Sequence, residues 1–141
     1  EQNHPGILAW HAQQPAANLR APVVVDLSDA NAWPGGEFDA VFTSNTAHIV
    51  SWLLVQRMVE MVGQHLPAGG RFVIYGPFNY GGAFTSDSNR AFDAMLRQRD
   101  PLSGIRDFEE VVALAQKHSL KLLQDHAMPA NNRTLVFEKQ A

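Results

Sequence analysis

Apolar positions along the chain alternate between short β-branched runs and stretches with helical spacing. Ile7, Leu8 and Trp10 lie on one side of a predicted helix over residues 5–13, with Pro5 suited to its first turn. Pro22-Val23-Val24-Val25-Asp26 is a continuous β-branched run and predicts a strand over 22–27, buried on both faces. Trp33-Pro34-Gly35-Gly36 breaks the chain before a second strand over 38–44. Trp52, Val55, Val59, Val62 and Leu66 then recur at helical intervals opposite Gln56, Arg57, Glu60 and Gln64, an amphipathic helix. Pro67-Ala68-Gly69-Gly70 ends it and leads into a strand over 71–75. A Gly- and aromatic-rich loop follows over 76–87. Residues 88–99 form the next helix, with Phe92, Met95 and Leu96 inward, stopped by Asp100-Pro101. Asp107 and Glu110 have capping-box spacing for a helix through His118. Two last strands, over 120–128 and 134–139, are joined by a turn short enough to make them an antiparallel hairpin.

Alternating helices and strands point to an α/β fold, mostly parallel with an antiparallel C-terminal hairpin, in a single domain over residues 1–141. Apolar residues at 45% and charged residues at 18% belong to a globular protein. A formal charge of −3 with scattered Lys and Arg argues against a nucleic-acid binder. No stretch is apolar for long enough to predict a membrane span, and Glu1-Gln2-Asn3-His4-Pro5 is not a signal-peptide pattern. The absence of cysteine removes disulfides, thiolate metal sites and a cysteine nucleophile, and fits a cytoplasmic location. The six histidines lack any metal-ligand spacing, so no metal site is expected. Phosphate-binding, dinucleotide-binding and nucleophile-elbow motifs are also absent.

Ligands of open α/β sheets bind beyond the carboxyl ends of the parallel strands. The predicted strands deliver Asp26, then Ser44-Asn45-Thr46-Ala47-His48, then Tyr75-Gly76-Pro77-Phe78-Asn79-Tyr80 to that rim. Each residue also has a plainer use. Asp26 can cap the following turn, His48 can be a hydrogen-bonded loop or core histidine, and Asn131-Asn132 suit left-handed turn positions. Arg57, Glu60 and the run Arg97-Gln98-Arg99-Asp100 are most simply solvated faces.

Together these segments resemble the later part of a class I S-adenosylmethionine-dependent methyltransferase. Val23-Val24-Val25-Asp26-Leu27 is similar to its third strand, with an acidic residue at the end. Phe38-Asp39-Ala40-Val41-Phe42-Thr43-Ser44-Asn45 is similar to the fourth, and Leu66-Pro67-Ala68-Gly69-Gly70-Arg71-Phe72 to the turn entering the fifth. More specifically, Tyr75-Gly76-Pro77-Phe78, the stretch from Ser86 to Asp107 and Ala127-Met128-Pro129-Ala130-Asn131-Asn132 resemble a poorly characterised methyltransferase family known as a domain of unknown function.

The resemblance implies S-adenosylmethionine as cofactor and methyl transfer to an acceptor it does not identify; the scattered basic residues favour a small molecule over a nucleic acid and leave a protein acceptor open. It places Asp26 and Leu27 at the adenine, and Asn45 and Thr46 beside the methionine part. His48 and Tyr75 become candidates for removing or orienting the acceptor proton. Phe78, Asn79, Tyr80, Asn131 and Asn132 become acceptor contacts, with Gly81-Gly82 in a mobile lid. It also implies a sheet order of 3-2-1-4-5-7-6, whose glycine-rich first turn and first two strands have no counterpart here. These residues are therefore expected to be a fragment, inactive alone, with the N-terminal strands missing and complemented by another segment or by pairing with a second copy. A non-catalytic scaffold derived from a methyltransferase is the alternative, and a nicotinamide-dependent oxidoreductase a weaker third.

Overall fold

The chain divides into two units, one running to Gly35 and one from Gly36 to Ala141. The computed structural model describes residues 2–141. In the first unit, α1 (His4–Gln13) carries Pro5 in its opening turn. The predicted strand over 22–27 does not form: among the described residues this run has no strand partner, and Val23, Val24 and Val25 are all exposed. A β-branched composition favours extended backbone, but only a neighbouring strand satisfies its N–H and C=O groups. The Asp26 carboxylate instead accepts the backbone N–H and the hydroxyl of Ser28, at 2.8 and 2.7 Å. This is the turn-capping use of a strand-end aspartate, and the two bonds hold its pKa below the usual value.

The second unit follows the predicted order of elements. A four-stranded sheet runs β1 (Ala40–Ser44), β2 (Arg71–Gly76), β6 (Asn132–Lys139), β5 (Leu120–Met128) from edge to edge. β1 and β2 are parallel; β6 is antiparallel to both β2 and β5. This is the order expected for strands four, five, seven and six, with the C-terminal hairpin as predicted. Helices α2 (Trp52–His65), α3 (Asp87–Arg99) and α4 (Phe108–Lys117) fill the intervals. The 76–87 loop contains β3 (Phe78–Asn79), which pairs in parallel with β4 (Arg106–Asp107). No helix among the described residues is long and apolar enough to cross a membrane.

Period-two burial puts Phe72, Ile74, Leu135 and Phe137 on one face of the sheet, all fully buried. The Phe72 and Phe137 rings pair across β2 and β6 at 6.2 Å. Val55, Met58, Val59 and Val62 of α2 and Val111, Leu114 and Ala115 of α4 complete this core. Ser51 caps α2, its hydroxyl accepting the Leu54 N–H at 3.3 Å. Asp107 does occupy the cap position of α4, but its side chain makes no cap bond, so the predicted capping box is not formed. Glu109 reaches out instead, accepting the Gly81 N–H at 3.0 Å.

Gly63 sets the distance between α2 and the end of α4. A methyl group there would lie 2.7 Å from His118 Cβ and 2.8 Å from its carbonyl oxygen. Alanine ordinarily gains about 1 kcal/mol over glycine inside a helix, but overpacking costs about 1–3 kcal/mol. The obstruction includes backbone, which cannot swing aside. Gly63→Ala is therefore expected to lower the melting temperature by several degrees in a thermal scan; an unchanged or raised value would contradict this packing.

Candidate functional site

The β1–α2 connection starts with Asn45 in the left-handed region, at φ 55°. Asparagine tolerates that conformation better than most residues. The Asn45 N–H donates to the Tyr75 carbonyl at 2.9 Å, which joins the connection to the end of β2. The Thr46 carbonyl accepts the N–H groups of Ile49 and Val50, making the turn that points His48 inward. His48 is 4% exposed, and its ring meets the Phe92 ring edge-on at 5.4 Å. Gly76 lies directly beside it: a Cβ there would stand 3.4 Å from His48 Nδ1 and 3.9 Å from Asn45 Oδ1. The missing side chain keeps this spot open.

Asn45, His48 and Phe92 open onto a cleft of about 510 Å³, within the range typical of small-molecule sites. Asn45, His48 and Pro77 form one wall, Ser88, Asn89 and Phe92 of α3 another, and Ala130, Asn131 and Asn132 the third. The Ala130-Asn131 corner has two successive left-handed residues, both at φ 58°. It is tied to α3, because Asn131 Nδ2 donates to Ser88 Oγ at 3.2 Å and Asn89 Nδ2 donates to the Asn131 carbonyl at 3.3 Å. Burial of the His48 imidazole, reinforced by the Arg106 charge, lowers its pKa below 6.5. The ring is thus a neutral proton acceptor at neutral pH.

A second hollow, of about 380 Å³, opens on the other side of the same corner and shares Asn131 and Asn132 with the cleft. Tyr80, Thr85, Ala127, Met128 and Arg133 complete its lining. Tyr80 stacks on Phe108 at 4.8 Å, and its hydroxyl donates to Asp125 Oδ2 at 2.9 Å. Burial, together with that carboxylate, pushes the phenol up to about 12. Tyr80 therefore stays protonated and acts as a hydrogen-bond donor.

The structure brings Asn45, His48, Asn131 and Asn132 together, and puts Tyr80 in the adjoining hollow. Thr46 is spent on its own turn, bonded to Thr43 at 2.9 Å and to the Ser44 carbonyl at 3.3 Å. Tyr75 lies on β2 between the buried Ile74 and Gly76, directed to the opposite face of the sheet, and lines neither space. Phe78 is fully buried and lines neither. Asn79 donates to the Ile105 carbonyl at 3.5 Å while its buried Oδ1 has no partner among the described residues. Asp26 and Leu27 belong to the first unit. Gly81-Gly82, the glycines expected in a lid, form a tight turn closed by reciprocal Tyr80–Ala83 backbone bonds, with the Gly81 N–H donating to Glu109.

Sequence reasoning missed the brace behind His48. Arg106 donates through Nε to the Ala47 carbonyl at 2.9 Å, and through Nη2 to the carbonyls of Val50 at 2.6 Å and Leu102 at 2.9 Å. The Gly104 N–H donates to the His48 carbonyl at 2.9 Å. Asp93, 6% exposed, accepts the Ile105 N–H at 2.8 Å and Arg97 Nε at 2.7 Å. Arg97 is thus more than a solvated face. Arg106 and the Gly104 N–H hold the His48 loop directly, and Asp93 and Ser103 fix the segment that carries them.

The chain is similar in fold to several solved methyltransferase structures. With "PigF with SAH" the TM-score is 0.80 at 13% identity, covering 99% of this chain and 41% of that one. With the mitomycin 7-O-methyltransferase MmcR it is 0.79 at 14% identity, covering 96% and 39%. With an O-methyltransferase family protein from Burkholderia thailandensis it is 0.72 at 13% identity, covering 82% and 34%. The chain therefore has the α/β fold of part of these proteins and spans about two-fifths or less of their length. The family model described as "Protein of unknown function (DUF938)" matches residues 1–139, so the chain belongs to the DUF938 family.

Proposed function

We propose that these residues form the acceptor side of an S-adenosylmethionine-dependent methyltransferase that methylates a hydroxyl group of a small molecule. The carrying observation is the convergence of Asn45, a neutral buried His48 and the Asn131-Asn132 corner on one cleft at the strand ends of this fold. The structures it resembles include proteins named as O-methyltransferases, and one is described with S-adenosylhomocysteine. The cleft is compatible with such a ligand: Gly76 leaves a place that any side chain would fill, beside the polar atoms of Asn45 and His48.

When bound, S-adenosylmethionine supplies an electrophilic methyl group on sulfonium. The chain's own residues do the rest by positioning and by excluding water. Asn45 lies at the cofactor side of the cleft, and Asn131 and Asn132 orient the acceptor. His48 would accept the proton of the acceptor hydroxyl as its oxygen takes the methyl group that bound S-adenosylmethionine would supply. The buried, uncharged imidazole suits that task better than Tyr75, which lines neither space.

Calorimetric titration of S-adenosylhomocysteine into this chain, and into the chain extended at its N-terminus, tests the assignment. Binding to the extended chain is the expected result. Absence of binding from both would remove the cofactor and leave a scaffold as the better description.

A further inference from the structure

The hollow beside the cleft contains a guanidinium that the protein uses on one edge only. Arg133 Nε donates to Asp125 Oδ1 at 2.8 Å, and Nη2 makes one long bond, 3.4 Å, to the Asp125 carbonyl. Among the described residues no carbonyl or carboxylate accepts from Nη1; the Tyr80 hydroxyl also interacts with the guanidinium, but a single hydroxyl oxygen cannot use both N–H donors of the Nη1–Nη2 edge. The group is also held in plane: it lies 5.6 Å over the Tyr80 ring, which in turn stacks on Phe108. Both Asp125 oxygens are already engaged, Oδ1 by Arg133 and Oδ2 by the Tyr80 hydroxyl. Asp125 therefore orients Arg133 without occupying its free edge. The Arg133 side chain is 29% exposed, enough for that edge to meet a ligand.

A planar, pre-oriented fork of two N–H donors matches the two oxygens of a carboxylate, and Arg makes such bidentate pairs far better than Lys. Thr85, Ala127 and Met128 give the same hollow a partly apolar wall. Asn131 and Asn132 line both this hollow and the His48 cleft. A molecule anchored at Arg133 and lying across that corner would present its far end to His48.

We propose that Arg133 is a carboxylate-recognition residue and that the acceptor is a hydroxy acid, its carboxylate on Arg133 and its hydroxyl toward His48. This rests on the methyl-transfer assignment for the hydroxyl end, while the carboxylate end stands on Arg133 alone. The specificity comes from the geometry of the fork, since Asp125 balances the net charge of the pair.

The test uses 4-hydroxybenzoate and 4-hydroxybenzamide as probes, with binding to the chain followed by NMR titration in the absence of cofactor. The acid is expected to bind at least tenfold more tightly than the amide and to shift the Arg133 Nε–H resonance. Arg133→Gln is expected to abolish the preference. Arg133→Lys, which keeps a cation next to Asp125, is expected to lose most of it and decides the matter if the Gln variant does not fold. Arg57→Gln, a surface cation on α2 paired with Glu60 at 3.4 Å, is expected to change nothing. Equal binding of acid and amide, no binding of either at millimolar concentration, or a preference that survives both Arg133 variants would overturn the proposal. Acid preference without any cofactor binding would keep the subsite and sink the methyl-transfer assignment. Cofactor binding without acid preference would do the reverse.

Discussion

On the proposed methyl-transfer reading, His48→Ala is expected to lower kcat by two to four orders of magnitude, the range for loss of a positioned general base. The KM for the acceptor should change much less, because Asn131, Asn132 and the adjoining hollow remain. The pH dependence carries independent information. Burial, and secondarily Arg106, lowers the His48 pKa from 6.5. Activity should therefore be lost on the acid side with a midpoint below 6.5, and be flat through neutrality. Stability has a related dependence. Above pH 6.5 the imidazole is neutral both folded and unfolded, so it contributes no pH dependence there. As the pH falls below 6.5, the unfolded chain takes up this proton before the folded one does, and stability declines. His48→Gln should flatten that part of a plot of melting temperature against pH. A variant with near-normal kcat would remove His48 from the chemistry, whatever its effect on the melt.

The second unit was largely legible because its signals are local. Helical spacing from Trp52 to Leu66, the Gly69-Gly70 turn and the β-branched strands each carry their own pattern, and the final hairpin follows from the brevity of its turn. The run over 22–27 carried an equally strong pattern and was misread. Val23, Val24 and Val25 define a preference for extended backbone, but a strand exists only by pairing, and pairing is not encoded within six residues. The same distinction governs the site. Asn45 and His48 could be placed in one cleft because strand ends share a rim. Tyr75 could not be excluded, since one residue of shift along β2 moves a side chain to the other face. Asp125 and Arg133 become neighbours only when the β5–β6 register is known, with Ala127 opposite Arg133 and Asp125 opposite Leu135. Arg106 was hidden for a different reason: two of its three partners are backbone carbonyls more than fifty positions away, and carbonyls have no sequence signature.

That hidden arginine gives the second large effect. Arg106→Gln is expected to destabilise the chain by about 2–4 kcal/mol, because truncation strands the part-buried carbonyls of Ala47 and Val50, at about 1–3 kcal/mol for each group left unsatisfied, while the exposed Leu102 carbonyl turns to water. Water can reach part of this region, since Arg106 is only half-buried, so the full sum is not expected. Arg106 also clasps both sides of the Ala47–His48 turn, and its charge helps to keep His48 unprotonated. Its loss should therefore raise the acid limb of the activity profile toward 6.5 as well as lowering the melting temperature. A purely structural role would lower the melt and the amount of active enzyme while leaving the profile of the remaining activity in place. Arg106→Lys separates the contributions. Lysine keeps the positive charge and so the position of the acid limb, but a single ammonium cannot span the carbonyls on both sides of the loop, and most of the stability loss should remain. If the profile of Arg106→Gln matches that of the unaltered enzyme, Arg106 is a brace of the fold alone; if the limb moves and lysine restores it, the brace and the titration of His48 are one device.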